Sequence, residues 1–379
     1  MTSRFADRIF APKELFLQLA DGLVARGHDV YVYSTSDTKT RAHLVSGPKI
    51  FEEQTLSSIR VRQEQADYVL FKLNYAEYEL DITVKAYNHA IEHNIAIMHS
   101  YHDSIAHYIA SFSSSIPTVY TLHDPLFPEG SIEGWRFNRF AKDAYIAISK
   151  RQAEIFQSRV NVIDVVHHGI DVSKWSYSEM AKDYLAFVGR FIQEKGVEDA
   201  CMVSECLNES LHLATSDNYL STPYYQQNIK PKLGNPLFIT TGFLLDEARN
   251  AWLKYAKVLL FPIHWEEPFG MVMIEAMACG TPVIAYNRGS VPEVLVDGVT
   301  GFIVDPPEHD ENPYPLGKQI IKKRGVEGLC EAVERLKSMG VDQYRVMRRS
   351  CRRHAEEYFT TERMVKDYER IYEKVLASK

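Results

Sequence analysis

Residues 264–286, HWEEPFGMVMIEAMACGTPVIAY, contain the two carboxylates of the chain that are best placed for ligand binding. Glu267 follows a predicted strand and precedes a predicted tight turn at 268–270, and a helix is predicted to begin near Met271. Glu275 then interrupts an otherwise apolar helix. Because a carboxylate accepts two charge-assisted hydrogen bonds side by side, each glutamate suits the vicinal hydroxyls of a sugar or a ribose.

The spacing of Glu267 and Glu275 argues against a hydrolytic pair. If the intervening residues are helical, a rise of about 1.5 Å per residue separates the two by about 12 Å along the axis. The carboxyl groups of a glycosidase lie roughly 5 to 9.5 Å apart. The two glutamates therefore suit opposite ends of one extended polar ligand. From this segment alone, a Glu275 side chain that only points to solvent remains an alternative.

Two cations follow the predicted strand in VGRFIQEKG, residues 188–196. At the carboxyl end of a strand, Arg190 and Lys195 could neutralise a diphosphate without a metal ion, and the free amides at the helix start near Met271 could bind phosphate. The alternative is a solvated loop with incidental charge. The sequence has no Asp-x-Asp, no Gly-x-Gly and no Walker phosphate loop.

A histidine ends another predicted strand, in YTLHDP at 120–125. Taken alone, His123 at such a position is more often a structural hydrogen-bonding residue than a catalytic group. No pair of histidines has a helical metal-ligand spacing with a third ligand nearby, so we expect no metal site.

These residues need parallel strands to position them, and the apolar runs supply two series. The first has predicted strands at 29–34, 68–73, 95–100, 118–124 and 144–149, with helical patterns at 82–93 and 104–112 between them. The second has predicted strands at 184–190, 211–215, 236–242, 258–263, 282–286 and 301–305. Strands that alternate with helices predict an α/β fold with two doubly wound parallel sheets. Ligands of such sheets bind outside the carboxyl ends of the strands, and the cleft between the domains is the expected site.

Composition limits the class of protein. The chain has 379 residues, 45% of them hydrophobic and 25% charged, and a net charge of -7, which argues against a general nucleic-acid binder. Its five scattered cysteines fit reduced core thiols. Neither a signal peptide nor a membrane-spanning run is recognisable, so we predict a cytoplasmic protein.

The sequence resembles the retaining glycosyltransferases of family 4, of the group 1 type. The strongest matching segments lie in the second series of strands, and weaker ones are spread over the first. The segments are VGRFIQEKG, EEPFGMVMIEAMACGTPVIA and GSVPEVLVDGVTGFIVD, and then LVARGHDVYVY, TVYTLHD, IAISK and VVHHGID.

The resemblance implies the GT-B fold, in which two Rossmann-like domains face each other across a cleft. The polar, glycine-containing segment 167–183 is a natural linker, so an acceptor domain is expected at 1–172 and a nucleotide-sugar donor domain at 173–354. In such folds the carboxyl-terminal helix, here 355–379, joins the first domain.

The resemblance also implies roles for residues at the site. Glu267 would contact the donor sugar, Glu275 would hold the ribose hydroxyls, and Arg190 and Lys195 would bind the diphosphate. His123 would lie at the reaction centre and position the donor sugar. The remaining donor-binding residues would be Gly189 and the residues with amides at the helix start, Phe269, Gly270, Met271 and Val272.

The implied reaction is transfer of a hexosyl group from a UDP- or GDP-sugar to an acceptor hydroxyl, with retained configuration and without a metal or other cofactor. The acceptor would be a saccharide or another hydroxyl compound. The possible acceptors include lipid-linked compounds, which the protein would reach through peripheral contact with a membrane. The alternatives are a sugar phosphorylase of the same fold and a non-catalytic nucleotide-sugar-binding protein.

The amino terminus departs from the family pattern. Family members usually begin with an apolar strand and a glycine-rich loop, whereas MTSRFADRIFAPKELF has neither. Either translation begins upstream of Met1, or Thr2–Phe5 form a curtailed strand, or the first domain is altered.

Overall fold

The structure is a computed structural model that describes residues 11–49, 65–101, 105–113, 115–216, 220–310 and 312–378. Its chain divides into two compact units. Unit 1 takes the described residues of Met1–Ile148, Ala153–Val166 and Thr361–Lys379, and unit 2 takes those of Ser149–Gln152 and His167–Thr360. The division falls at 166–167 rather than at the predicted 172–173, and residues 355–360 belong to unit 2.

Unit 1 contains two parallel sheets. Strands β1 and β2 form a two-stranded sheet, and β3 to β6 form a four-stranded sheet in sequential order. The strands are β1 (Tyr31–Ser34), β2 (His43–Ser46), β3 (Met98–Ser100), β4 (Thr118–Thr121), β5 (Ala144–Ala147) and β6 (Val162–Val165). The helices of this part of the chain are α1 (Ala11–Ala25), α2 (Gln65–Glu92), α3 (Ala106–Phe112), α4 (Ile132–Arg139) and α5 (Lys150–Phe156).

The strand predicted at 68–73 is wrong, because these residues lie within helix α2. A short apolar run does not by itself distinguish a buried strand from a helical segment, and the 28-residue length of α2 decided the outcome here. The other four predicted strands of this unit correspond to β1, β3, β4 and β5, although each is shorter than predicted. The strand proposed at Thr2–Phe5 lies outside the described residues.

Unit 2 is built on a six-stranded parallel sheet with the order β12-β11-β10-β7-β8-β9. All six predicted strands of the second series are present. They are β7 (Leu185–Val188), β8 (Leu211–Ala214), β9 (Phe238–Gly242), β10 (Val258–Phe261), β11 (Val283–Tyr286) and β12 (Gly301–Val304). Strands β10, β11 and β12 are buried along their whole length, as expected for a sheet with helices on both faces.

The helices of unit 2 lie between these strands in the chain or follow the last of them, as in a doubly wound fold. They are α6 (Val197–Leu207), α7 (Asp246–Tyr255), α8 (Met271–Ala278), α9 (Val291–Val294), α10 (Gly325–Ser338) and α11 (Val341–Tyr358). The chain runs from β7 through β8 to β9 on one side, and then continues from β10 on the other side of β7. The switch point of the sheet is therefore the pair of carboxyl ends of β7 and β10, where ligands of such sheets bind.

The carboxyl-terminal segment predicted at 355–379 is not one helix. Helix α11 ends at Tyr358 within unit 2, and a separate helix α12 (Thr361–Ala377) belongs to unit 1. Helix α12 is amphipathic, and its buried residues include Met364, Tyr368 and Ile371. It packs against α1, where a Cβ added at Gly22 would lie 2.5 Å from a methyl group of Val365.

A hydrogen-bonded network joins α12 to the sheet of unit 1. The ring of His99, at β3, lies 2.6 Å by Nδ1 from the hydroxyl of Tyr372 and 2.7 Å by Nε2 from that of Thr121. Tyr368 lies 3.0 Å from the same threonine hydroxyl. Burial, together with the neighbouring His123, lowers the pKa of His99 to about 3, so its imidazole is neutral at physiological pH.

Two features of the described residues concern the environment of the chain. None of the helices in the described residues combines the length and the apolar composition that a membrane span requires. All five cysteines are free, and four are buried as predicted for core thiols, whereas Cys206 is exposed.

Replacement of Tyr372 by Phe tests the network at α12. The variant leaves a ring nitrogen of the half-buried His99 without its hydroxyl partner, so we expect the free energy of unfolding to fall by about 1–3 kcal/mol in urea denaturation. Tyr358→Phe is the matched control, because that side chain is 50% exposed, and we expect almost no change. Equal losses in the two variants would contradict this account.

Candidate functional site

The loop after β7 places the two predicted cations at the switch point. Gly189 and Arg190 follow β7 directly, and Lys195 ends a short 3-10 helix at Gln193–Lys195. Gly196 has a φ of +68°, and a Cβ added there would lie 1.8 Å from the carbonyl oxygen of Pro262, just beyond β10. Only glycine permits this close approach, which holds Lys195 beside the end of β10.

Four side chains meet at this point. The ammonium of Lys195 donates a hydrogen bond to Oε2 of Glu267, and Nε1 of Trp265 donates to the same oxygen at 2.7 Å. Lys195 Nζ lies 4.7 Å from the centroid of the Trp265 ring, and Arg190 Cζ lies 5.6 Å from it. The predicted residues Arg190, Lys195 and Glu267 are thus brought together around the indole ring of Trp265, which no pattern in the sequence indicated.

The charges of this cluster differ in their exposure. The side chains of Lys195 and Glu267 are 14% and 12% exposed and satisfy each other. Arg190 is exposed, and no carboxylate of the described residues forms an ion pair with it. Its guanidinium is therefore available for an anionic ligand.

The loop after β11 contacts the backbone of the turn that carries Glu267. Gly289 has a φ of +52°, and a Cβ added there would lie 2.4 Å from the backbone nitrogen of Glu267. Ser290 donates from its backbone nitrogen to the Glu267 carbonyl at 3.0 Å and from Oγ to the Phe269 carbonyl at 2.5 Å. These contacts fix the backbone between the end of β10 and helix α8.

Helix α8 begins at Met271, as predicted, after a glycine in the left-handed conformation. Gly270 has a φ of +77° at the N-cap and provides no side-chain cap. The first amides of a helix have no intrahelical partner and carry a partial positive charge. Those of Met271 and Val272 therefore remain suited to an anion, and Phe269 packs as a buried ring just before them.

Glu275 does not point to solvent. It is 7% exposed, and its Oε1 lies 3.2 Å from Nη2 of Arg249 on helix α7. The Arg249 guanidinium also lies 5.3 Å from the ring centroid of Trp175. The solvent-facing alternative is wrong, because a carboxylate on this apolar helix is buried with a cationic partner. No pattern in the sequence around Arg249 indicated that partner.

His264, which precedes this turn in the chain, is the centre of a second charged cluster. The His264 ring is 2.9 Å by Nδ1 from Asp310 and 3.2 Å by Nε2 from Asp199, and Tyr286 donates to Asp199 at 2.5 Å. Burial disfavours the imidazolium, but the hydrogen bonds and charges of the two aspartates outweigh burial and raise the pKa of His264. His264 precedes Trp265 and so anchors one side of the turn.

His123 belongs to unit 1, whereas the other predicted site residues belong to unit 2. It follows β4, is half-buried, and its ring centroid lies 5.0 Å from that of Tyr101. The role of His123 at a reaction centre stays a prediction. Among the described residues, no group of three or more His, Cys, Asp or Glu side chains is arranged to hold a metal ion.

Comparison with known families assigns both halves of the chain. A model described as Glycosyltransferase Family 4 matches residues 14–174, and one described as Glycosyl transferases group 1 matches residues 173–312. The chain belongs to glycosyltransferase family 4. The glycosyltransferase has a similar relative in the alpha-maltose-1-phosphate synthase of Mycolicibacterium smegmatis. The two are 27% identical over 285 residues, which cover 65% of this chain and 73% of the relative.

Solved structures confirm the GT-B fold of this glycosyltransferase. Sucrose-phosphate synthase from Thermosynechococcus elongatus has a TM-score of 0.68 and 17% identity, over 96% of this chain and 92% of that chain. HepE of Anabaena in complex with UDP-glucose has a TM-score of 0.66 and 17% identity, over 98% of this chain and 97% of that chain.

Replacement of His264 by Gln tests the anchor behind the turn. Because folding raises the pKa of His264 above its ordinary 6.5, its stabilising effect is complete below that pH and disappears as the pH rises through the pKa of the folded state. We expect the variant to lose about 1–3 kcal/mol of unfolding free energy at about pH 6 and less at about pH 9. His309→Gln is the control, since His309 is 80% exposed beside the same Asp310. A loss that does not change with pH would contradict the charged interaction.

A double-mutant cycle tests the Arg249–Glu275 ion pair. Arg249→Leu leaves a buried carboxylate without its guanidinium, so we expect it to lower the free energy of unfolding by roughly 3–5 kcal/mol. Adding Glu275→Gln should restore part of this loss. The exposed pair Arg345–Asp342 provides the control, with a loss of at most about 1 kcal/mol for Arg345→Leu. Additive losses in the cycle would show that the pair is not coupled.

Proposed function

We propose that this glycosyltransferase moves a hexosyl group from a nucleoside-diphosphate sugar to an acceptor hydroxyl, with retained anomeric configuration and without a metal ion. The observation that supports it most is the cluster at the switch point of unit 2. There Arg190 and Lys195 lie beside Glu267, next to the open amides of helix α8.

The donor is a UDP- or GDP-sugar, with the diphosphate bound by the two cations. Lys195 supplies a compact positive charge, Arg190 supplies a planar guanidinium that can donate two hydrogen bonds, and the amides at the start of α8 supply aligned N–H groups. The similar structure of HepE is described as a complex with UDP-glucose, and others of the same protein as complexes with UDP and with UDP and glucose. In this proposal Glu267 binds the sugar hydroxyls and Glu275 binds the ribose hydroxyls.

The buried state of Glu275 is compatible with its ribose role. Arg249 contacts Oε1 of Glu275, and a carboxylate offers about four lone-pair positions in all, so it can accept hydrogen bonds from more than one donor at once. The contact with Arg249 helps to hold the carboxylate in place, and hydrogen bonds from ribose hydroxyls to a charged carboxylate are stronger than those to a neutral acceptor.

The chemistry requires stabilisation of the leaving diphosphate. As the bond between the anomeric carbon and the phosphate oxygen breaks, its electron pair passes to the diphosphate, where Arg190, Lys195 and the helix amides stabilise the charge. The acceptor hydroxyl attacks from the same face and passes its proton to the departing phosphate oxygen, so no protein nucleophile is needed. His123 positions the donor sugar in this scheme.

The acceptor is a saccharide or another compound with a reactive hydroxyl. Lipid-linked saccharides belong to this class, and the enzyme would reach them through peripheral contact with a membrane. Transfer in the cytoplasm stays a prediction. These assignments rest on the family to which the chain belongs and on the chemistry of the residues at the strand ends.

Replacement of Lys195 by Ala tests the proposed function. Loss of one preorganised cation at a developing charge typically lowers the rate roughly 100- to 1,000-fold, and we expect this range for release of nucleotide from the preferred donor. The measurement is turnover of labelled UDP- and GDP-sugars with a saccharide acceptor mixture, with and without a chelator. Lys174→Ala, an exposed lysine of the same unit, is the control and should keep full activity.

The outcomes separate the rival functions. Full turnover of the Lys195→Ala variant contradicts the proposed charge stabilisation. Sugar phosphate formed only when inorganic phosphate is added identifies a phosphorylase. Saturable binding of a nucleotide sugar without turnover identifies a binding protein, and activity abolished by the chelator contradicts metal independence.

A further inference from the structure

We infer that Trp265 is a positioning residue that keeps Glu267 and Lys195 in place while the donor binds between them. The inference rests on the proposed function, which assigns Lys195 to the diphosphate and Glu267 to the sugar. In the structure these two side chains bind each other. In this inference, donor binding replaces that ion pair with two separate contacts, so each side chain needs a second support.

The indole of Trp265 supplies the support for Glu267. Its Nε1–H donates to Glu267 Oε2 at 2.7 Å, the same oxygen that Lys195 contacts. An indole nitrogen is a donor only, so it cannot exchange this role for another. When Lys195 moves to a phosphate oxygen, the carboxylate keeps one hydrogen bond and its orientation, and its other lone pairs can accept from sugar hydroxyls.

The face of the same ring supplies the support for the cations. Lys195 Nζ and Arg190 Cζ lie 4.7 and 5.6 Å from the ring centroid, within the range of a cation–π interaction. The ring carries no net charge, so it holds the two cations near each other without neutralising them. A carboxylate in its place would compete with the diphosphate for both cations.

The backbone fixes the position of Trp265. The backbone nitrogen of Glu267 donates to the Trp265 carbonyl at 2.9 Å, which closes a tight turn and brings the indole and the carboxylate to the same side. The preceding His264 is tied by its own backbone nitrogen to the Glu194 carbonyl at 2.9 Å, in the loop that carries Lys195. The indole is half-buried, so a ligand can reach the cations that it supports.

Two substitutions separate the two supports. Trp265→Phe keeps a ring face but removes the N–H donor, whereas Trp265→Leu removes both. UDP and GDP contain the base, the ribose and the diphosphate but no transferable sugar, so their Kd includes the contacts of the two cations and excludes the sugar contact of Glu267. For the nucleotide that binds, we expect a Kd within about 2-fold of wild type in Trp265→Phe and raised by about 5- to 30-fold in Trp265→Leu. The kcat for sugar transfer should fall by about 10-fold or more in both variants, because each removes the hydrogen bond to Glu267.

A spectroscopic measurement tests the contact directly. The chain has four tryptophans, so labelling with ¹⁵N gives four indole N–H signals, and the one missing in Trp265→Phe belongs to Trp265. We expect Glu267→Gln to shift this signal and to leave the other three in place. Trp135→Phe, which changes a side chain 52% exposed in unit 1, is the matched control and should alter neither the Kd nor kcat.

Each contrary result would overturn a specific part of the role proposed for Trp265. An equal increase of Kd in Trp265→Phe and Trp265→Leu, or losses that follow the folded fraction of each variant, would show that Trp265 only stabilises the fold. A Trp265 indole signal unmoved by Glu267→Gln would exclude the support of the carboxylate. If wild-type protein binds neither nucleotide, the proposed function fails, while the indole signal still decides whether Trp265 positions Glu267.

Discussion

The parallel pairing of β7 with β10 is the constraint on which the site depends. These strands are neighbours in the sheet although β8 and β9 lie between them in the sequence, so their carboxyl ends form the switch point of unit 2. Arg190 lies just after the carboxyl end of β7, and Trp265 and Glu267 lie just after that of β10. If either strand were placed elsewhere in the sheet, the cations and the carboxylate would not meet.

Glycine makes the close approach of these strand ends feasible. Gly196 lets the loop after β7 touch the backbone of Pro262, and Gly289 lets the loop after β11 touch the backbone of Glu267. Both have positive φ angles, and a Cβ added at either would lie closer to a backbone atom than van der Waals contact allows. The loops are thus packed against each other by their backbones, and a rigid backbone is what preorganised charges require.

The partly buried charges at the site are balanced by partners, whereas the exposed Arg190 forms no ion pair with a carboxylate of the described residues. Glu267 is satisfied by Lys195 and Trp265, Glu275 by Arg249, and His264 by two aspartates. Each pair lies on or directly behind the segment from β10 to α8. An uncompensated charge in such partly buried positions would be costly, so the pairs allow a polar ligand site to form within an apolar sheet-and-helix framework.

The sequence by itself determined the six strands of unit 2, the start of helix α8 at Met271 and the charged residues at strand ends, because these depend on local periodicity, turn residues and side-chain chemistry. It did not determine helix α2, since a short apolar run fits either a strand or a helix. It also did not indicate Trp265 or Arg249 as partners of the two glutamates. Lys195 and Glu267 are 72 positions apart, and Arg249 and Glu275 lie on different helices. Contacts of this kind follow from strand order and helix packing, so only the tertiary structure decided them.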